Sequence, residues 1–396
     1  MGREVPSGWQ SSTLGDHFEM SLGKMLDKAA AQGADHSLYL TNRNVRWDRF
    51  KLGNLETMHF TREERELYRL VPGDLLVTEG GEIGRTAMWG GELKDCFFQK
   101  SLHRLRARGG IEPRYLLHYM RFAARHGLFA HLSGQTSIAH LTKEKLSGLT
   151  VIHPVARGEQ RRIVAMLDSV GENERTVEAS IAKLRTVRQA VLADALRSGA
   201  TGWPRRPLTD VVQLPAGQVD PREMPYREQI LLAPDHVEPR TGKVIGRESA
   251  QSQGAVSGKY IVRPGDVVLS KIRPGLRKVA VADFRGTCSA DMYPLSVGDD
   301  VLPGFLWAML LGDEFSSFAE SVSGRTGIPK LNRKDLSDYL MCIPPLGEQR
   351  RIIAVLDGII GQEQSIEALG DKLRALKQGL ADALLSGKVR IDDVAL

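Results

Sequence analysis

The sequence predicts a mixed α/β (α+β) chain: two similar globular domains separated by two long antiparallel coiled-coil helices, the whole a pseudo-twofold tandem repeat. Three observations carry this. The hexapeptide GEQRRI stands at 158–163 and again at 347–352. Ahead of it, anchors recur in the same order: SGWQSSTLGD at 7–16 with TGWPRRPLTD at 201–210, PGDLLVT at 72–78 with PGDVVLS at 264–270, and SGQTSIAHLTKEKLS at 133–147 with SGRTGIPKLNRKDLS at 323–337. From each GEQRRI onward, a 4-3 apolar spacing runs for about four to five heptads, the pattern of a coiled-coil seam.

In chain order, the first globular domain covers 1–153. Pro72-Gly73 turns the chain into a β-rich run at 74–78, and the apolar period from Tyr115 to Phe129 predicts a helix. Pro154 punctuates the entry to the first long helix and Ser198-Gly199 its exit, which sets off 154–200. Its seam reads Ile163, Leu167, Val170, Glu174, Val177, Ile181, Leu184, Arg188, Val191, Ala195. The second domain, 201–343, repeats the plan with a β-rich run at 266–270 and a helical pattern from Phe305 to Phe318. Pro344-Pro345 then opens the second helical segment, 344–396, and Ser386-Gly387 closes its helix. Its seam reads Ile352, Leu356, Ile359, Glu363, Ile366, Gly370, Leu373, Lys377, Leu380, Leu384.

At 1.5 Å per residue each helix would run about 60 Å, too long for an ordinary core helix. Both seams break at the same two places, with an acid and then a base. Antiparallel helices would set Glu174 against Lys377 and Glu363 against Arg188, fixing register and direction.

With 42% apolar residues in 396, the chain can build more than one core, and no apolar run approaches a membrane span. Cys96, Cys288 and Cys342 form neither disulfide nor metal spacings, so a reducing cytoplasm is expected. The net charge of +6 suits a polyanion without selecting one. Its distribution says more. Seven Lys or Arg against one acid lie between Lys100 and Arg125, and four basic residues with no acid lie in each of 271–278 and 325–334.

PPLGEQRRIIAVLD at 344–357, its relative PVARGEQRRIVAMLD at 154–168, the preceding S-G-x-T segment and the full duplication together resemble the DNA-specificity subunit of type I restriction-modification systems. The resemblance covers essentially the whole chain. It implies that 1–153 and 201–343 are target-recognition domains, each reading one half of a split, asymmetric double-stranded DNA target. It implies further that the helices act as a conserved spacer and bind two methyltransferase subunits, with restriction and translocase subunits joining that core. No cofactor is expected in this chain; S-adenosylmethionine, ATP and Mg would belong to the partners. Two heads on a rigid spacer can meet one duplex when the half-sites fall about one turn, roughly 34–36 Å, apart.

For DNA contact the first domain offers Arg43, Asn44, Arg46, Arg85, Lys100, Arg104, Gln135, Thr136, Ser137, His140 and Lys143. The second offers Arg240, Lys243, Lys271, Arg273, Arg277, Lys278, Arg325, Thr326, Lys330, Asn332 and Arg333. Arg and Lys pair with guanine edges or phosphates, and Asn or Gln with adenine edges. Thr136 and Thr326 read equally as turn-stabilising hydroxyls. Gln160, Arg161, Arg162, Gln349, Arg350 and Arg351 are polar and identical in both copies, so a partner surface touched twice is expected there.

Enzyme classes find little support. There is no Walker loop and no H-E-x-x-H. Pro72-Gly73-Asp74 with Glu92-Leu93-Lys94 mimics a metal-dependent nuclease, but the second copy puts Phe284 where Glu92 would be, which makes Asp74 and Asp266 turn residues. A coiled-coil scaffold without DNA binding explains the helices and leaves two divergent basic domains without a task.

Overall fold

A computed structural model describes residues 5–33, 35–129, 140–198, 202–324 and 328–394. The chain divides into two compact units, 1–176 with 369–396, and 177–368. Both long helices, Arg157–Ser198 and Leu346–Leu385, contribute to each unit.

In the first unit, a four-stranded antiparallel sheet runs in the order Phe18–Leu22, Leu102–Ala107, Leu75–Thr78, Thr86–Met88. The turn into Leu75–Thr78 follows from its sequence. Gly73 takes φ +95, where a Cβ would be strained, and the Asp74 carboxylate accepts the Val71 amide at 2.9 Å. Asp74 is buried and receives two further bonds from Arg106, both 2.8 Å. Pro113 begins a helix to Arg125 whose buried face, including Tyr115, Leu116, Tyr119 and Met120, joins the same core as Leu75, Val77 and Leu105. The strands Trp9–Thr13 and Thr150–Pro154 pair antiparallel. A smaller sheet, Glu56–His59, His36–Leu40 and Phe97–Phe98, carries a small core of Tyr39, Met58, Phe60 and Phe97 on one face and contributes Leu40 and Phe98 to another with Leu76 and Trp89.

The second unit repeats the frame: Val212–Gln213, Met292–Val297, Val267–Ser270 and Val279–Val281 form the four-stranded sheet, and Arg205–Pro207 pairs with Leu340–Cys342. Its Pro-Gly-Asp turn is the same device, with Gly265 at φ +92 and Asp266 accepting the Arg263 amide at 2.7 Å. These are the turn roles expected of Asp74 and Asp266. The frames diverge at the outer strand. Glu56–His59 adds to the outer side of His36–Leu40, whereas Tyr260–Val262 adds to Gly286–Cys288. The helical pattern expected from Phe305 to Phe318 is two helices, Pro303–Leu311 and Asp313–Ser323. Gly312 leaves helical geometry at ψ 162 and ends the first of them.

The long helices run antiparallel in each unit. In the first, the Lys377 ammonium meets the Glu174 carboxylate at 2.7 Å, and Leu384 and Leu385 enter the core that holds Ile163 and Leu167. In the second, Arg188 meets Glu363 at 3.2 Å and Arg185 meets Glu367 at 3.0 Å, so partner numbers fall as those of the first helix rise. Both ion pairs expected of the seam are present. Leu192, Ile352 and Leu356 join the core of the second unit. Gly387, at φ +72, ends the second helix where a Cβ would strike Pro6 at 2.5 Å. The chain then brings Arg390 against Glu159 at 3.1 Å, and the Trp9 indole donates to the same carboxylate at 3.0 Å.

Asp168 ties the first helix to its head. It accepts from Arg114 and His118, each at 2.9 Å. Burial pushes the Asp168 carboxyl up, but those bonds outweigh it and hold it well below the usual carboxylate range. Its contribution to stability is therefore full above about pH 4, the unfolded value, and is lost as pH falls from there toward the folded one. Asp168→Asn is expected to remove that acid-side loss, read as a flatter urea midpoint between pH 5 and pH 3 (roughly the window set by the unfolded carboxylate). At the equivalent places the second unit has Asp357, Gly304 and Ala308, and Asp357 is exposed.

Candidate nucleic-acid interface

The duplicated loops are assembled by the same backbone bond in both heads. The Leu141 amide donates to the Glu79 carbonyl at 2.9 Å, and the Leu331 amide to the Lys271 carbonyl at 2.8 Å. Each joins the segment after the S-G-x-T stretch to the loop leaving the central strand. In the first head the Arg85 guanidinium donates to the Asn42 carbonyl at 2.6 Å, and the Asn42 amide to the Ser101 hydroxyl at 3.1 Å, so the segments carrying Arg43, Arg46, Arg85 and Lys100 adjoin. Arg43, Lys100, His140 and Lys143 are exposed and Arg46 half-buried. In the second head, Lys243, Arg273, Lys330 and Arg333 are exposed, and Lys330 pairs with Asp291 at 3.3 Å.

Several expected contacts are corrected. Arg104 is 2% exposed, its guanidinium donating to the Leu67 carbonyl at 2.8 Å and facing the Phe98 ring. Asn44 is buried and closes a turn, accepting from the Thr41 amide at 2.9 Å and donating to the Lys51 carbonyl at 3.0 Å. Lys271 is buried, its ammonium 3.9 Å from the Tyr293 ring centroid and 4.7 Å from that of Tyr260, donating to the Ala290 carbonyl at 2.6 Å. None of these three can reach DNA as placed. Asn332 caps the helix Arg333–Asp338, and Lys278 donates to the Pro234 carbonyl at 2.7 Å, so both have structural work. Arg277 bonds Ser316 and Asp313. Gln135, Thr136, Ser137, Arg325 and Thr326 lie outside the described residues.

Gln160 and Gln349 are also corrected: neither offers a partner surface, because both are fully buried. The Gln160 amide donates to the carbonyls of Gly110 and Pro154 and accepts from the Glu112 amide, all at 2.8 Å. Gln349 makes the same three bonds, all 2.8 Å, to Asp300, Pro344 and Leu302. Through this glutamine each copy of GEQRRI latches a long helix to its own head. Arg161, Arg162, Arg350 and Arg351 remain exposed. Residue pairing missed Val187 and Leu376, which stand at equivalent places in the repeat and are 39% and 56% exposed.

Sequence reasoning also missed Tyr260. Burial pushes its phenol up, but Gln218, Lys271 and Arg333 around it bring it below its ordinary value. Among the described residues no group of three or more His, Cys, Asp or Glu could hold a metal ion, and no helix is long and apolar enough to cross a membrane.

The sequence family described as type I restriction modification DNA specificity domain matches residues 6–185 and again 202–374. The chain belongs to that family. The EcoDI specificity subunit of Escherichia coli is 36% identical over 165 residues, a match covering 42% of this chain and 37% of that protein. The putative MjaX specificity subunit of Methanocaldococcus jannaschii is 21% identical over 98% of this chain and 95% of its own length. Two solved structures share the fold. One comes from work on complex assembly and conformational transition of the type I R-M system, with TM-score 0.62, 20% identity and coverage of 98% of this chain and 100% of that one. The other is the type I S subunit from M. genitalium, with TM-score 0.55, 12% identity and 97% coverage of each chain.

Proposed function

We propose that this type I specificity chain reads a split, asymmetric DNA target, one half with each head, as the recognition subunit of a restriction-modification complex. One observation carries the reading: a shared four-stranded frame presents different side chains. Beside the equivalent bonds at Leu141 and Leu331, exposed His140 is replaced by exposed Lys330, Thr142 by Asn332 and Lys143 by Arg333. Heads built alike but faced differently suit two unlike half-sites, where two identical chains would read a palindrome. The exposed first-head residues Arg43, Lys100, His140 and Lys143 and the half-buried Arg46, with Lys243, Arg273, Lys330 and Arg333 in the second head, are the contacts this reading favours.

Two methyltransferase subunits would seat on the long helices at equivalent places, beside Val187 with Arg350 and Arg351 in one unit and beside Leu376 with Arg161 and Arg162 in the other. Restriction and translocase subunits would join them, bringing S-adenosylmethionine, ATP and Mg, while this chain supplies recognition. Its place is the cytoplasm, with its DNA. Mapping methylated bases in cells that carry the chain with its partner subunits tests the reading. One bipartite, asymmetric motif is expected, and exchanging residues 201–343 for those of a relative should change one half only. A palindromic motif, or a change in both halves, would overturn it.

A further inference from the structure

Four arginines, Arg185, Arg188, Arg240 and Arg277, line a cleft of about 340 Å³ within the second unit. One wall is the first long helix; the others are the hairpin closed by Val237 and Val244 and the loop at 271–278. Three of the guanidiniums are held. Arg185 pairs with Glu367 at 3.0 Å, Arg188 with Glu363 at 3.2 Å and Arg277 with Asp313 at 2.6 Å. Arg240 is exposed, and its guanidinium has no partner among the described residues. Four cations against three carboxylates leave one in excess. Glu238, in the same hairpin, is bound by the Thr241 hydroxyl at 2.6 Å, and the hairpin also carries the exposed Lys243.

The backbone adds a second, independent observation. Arg240 sits at φ +66 and Arg277 at φ +49, in the left-handed region where a Cβ is strained, as does Arg273 (φ +49) at the start of the same turn outside the cleft. Two residues on, at φ +71, the chain uses glycine, because a Cβ at Gly242 would strike the Val279 carbonyl at 2.4 Å. In the corresponding hairpin of the first head the left-handed residue is Asp48, φ +61, a type that tolerates this conformation. Arginine gains nothing there from its backbone. Such outliers persist where the surrounding structure over-determines them, and they cluster at binding sites. The first unit's cleft beside its own hairpin and loop is lined by Trp47, Ile83 and Phe129 together with Arg121, Arg125 and Glu82, and none of its lining residues is an arginine of the hairpin, so an arginine at the place of Arg240 is not demanded by the shared frame.

We propose that this cleft binds a phosphate group, with Arg240 as the free fork that closes on it and Arg188 and Arg277 as fixed walls. A planar guanidinium matches phosphate oxygens two at a time, which ammonium groups cannot do. The phosphate could come from the DNA backbone or from a free diphosphate, and the DNA source rests on the reading above.

Arg240→Gly separates these sources without threatening the fold, since it removes the side chain and the strain together; its unliganded melting temperature should equal or exceed that of the unaltered chain. Full-length protein is melted with and without inorganic pyrophosphate, and its binding to a random-sequence duplex is followed across a salt series. If the DNA backbone is the source, the variant flattens the slope of log affinity against log salt by about one, and pyrophosphate has no effect on either protein. If a free diphosphate is the source, pyrophosphate raises the melting temperature of the unaltered chain alone and the slopes agree. Equal slopes with no pyrophosphate effect overturn the site. An unaltered chain that binds no duplex at any salt overturns the DNA reading instead, and the pyrophosphate melt then decides this one.

Discussion

Glu363→Leu is expected to destabilise the protein by about 3–5 kcal/mol, the usual cost of leaving a buried charge without its partner. Arg188 is the charge left behind. Both side chains are at least nine-tenths buried, the Arg188 guanidinium spans 3.2 Å to the Glu363 carboxylate, and its second nitrogen donates to the Arg240 carbonyl at 3.3 Å. Burial pushes the Glu363 carboxyl above its ordinary value despite Arg188 and Arg185 beside it, so desolvation outweighs attraction at this carboxylate. Its other oxygen has no hydrogen-bond partner among the described residues. The pair therefore holds register more than it adds stability. Glu363→Leu with Arg188→Leu should recover most of the loss, because two well-packed leucines at a seam are at least as stable as a buried ion pair. Urea unfolding of the two single variants and the double measures this. A double variant as unstable as the worse single one would show that the seam depends on the charges. The pair at Glu174 and Lys377 is more exposed, 17% for each side chain, and its loss should cost less.

The seam pairs were legible in the sequence because a heptad fixes which residues face each other once direction is chosen. The Pro-Gly-Asp turns were legible for the same kind of reason: three adjacent residues contain the whole device. What could not be read depends on residues far apart in the chain. Arg104 looks like any basic strand residue until Leu67 and Phe98, from other segments, close over it. Lys271 stands in a basic run and is withdrawn from it by two tyrosines, 11 residues before it and 22 after. The division at 153–154 and 343–344 follows the chain, whereas the compact units cut across both long helices, because an antiparallel pair brings the end of one helix to the start of the other. The break at Gly312 was hidden by an apolar period that continues through it.

Gln160→Ala is expected to cost about 2–4 kcal/mol in the isolated chain, since it strands the Glu112 amide and the Gly110 carbonyl and leaves the Pro154 carbonyl only the His153 ring nitrogen at 3.0 Å, and each buried polar group left unpaired costs roughly 1–3 kcal/mol. Identity between copies does not reveal whether a polar residue faces a partner or the backbone of its own head; the outcomes of this substitution do. A glutamine on a docking surface could be cut back without harm to the free protein, weakening only assembly. A latch fails before any partner arrives. Gln160→Glu sharpens the distinction. It keeps the acceptor for the Glu112 amide at 2.8 Å and turns the donor facing Gly110 and Pro154 into an acceptor against two carbonyls. That variant should be at least as damaged as Gln160→Ala, although a carboxylate on an exposed helix face would be harmless. Hydrogen exchange at the Glu112 amide reports the same event locally, and should accelerate in Gln160→Ala while the Leu302 amide, held by Gln349 in the other copy, keeps its protection. If both amides keep their protection and the unfolding midpoint does not move, the buried bonds do not hold the helix to its head, and the repeated hexapeptide must owe its two copies to something outside the chain.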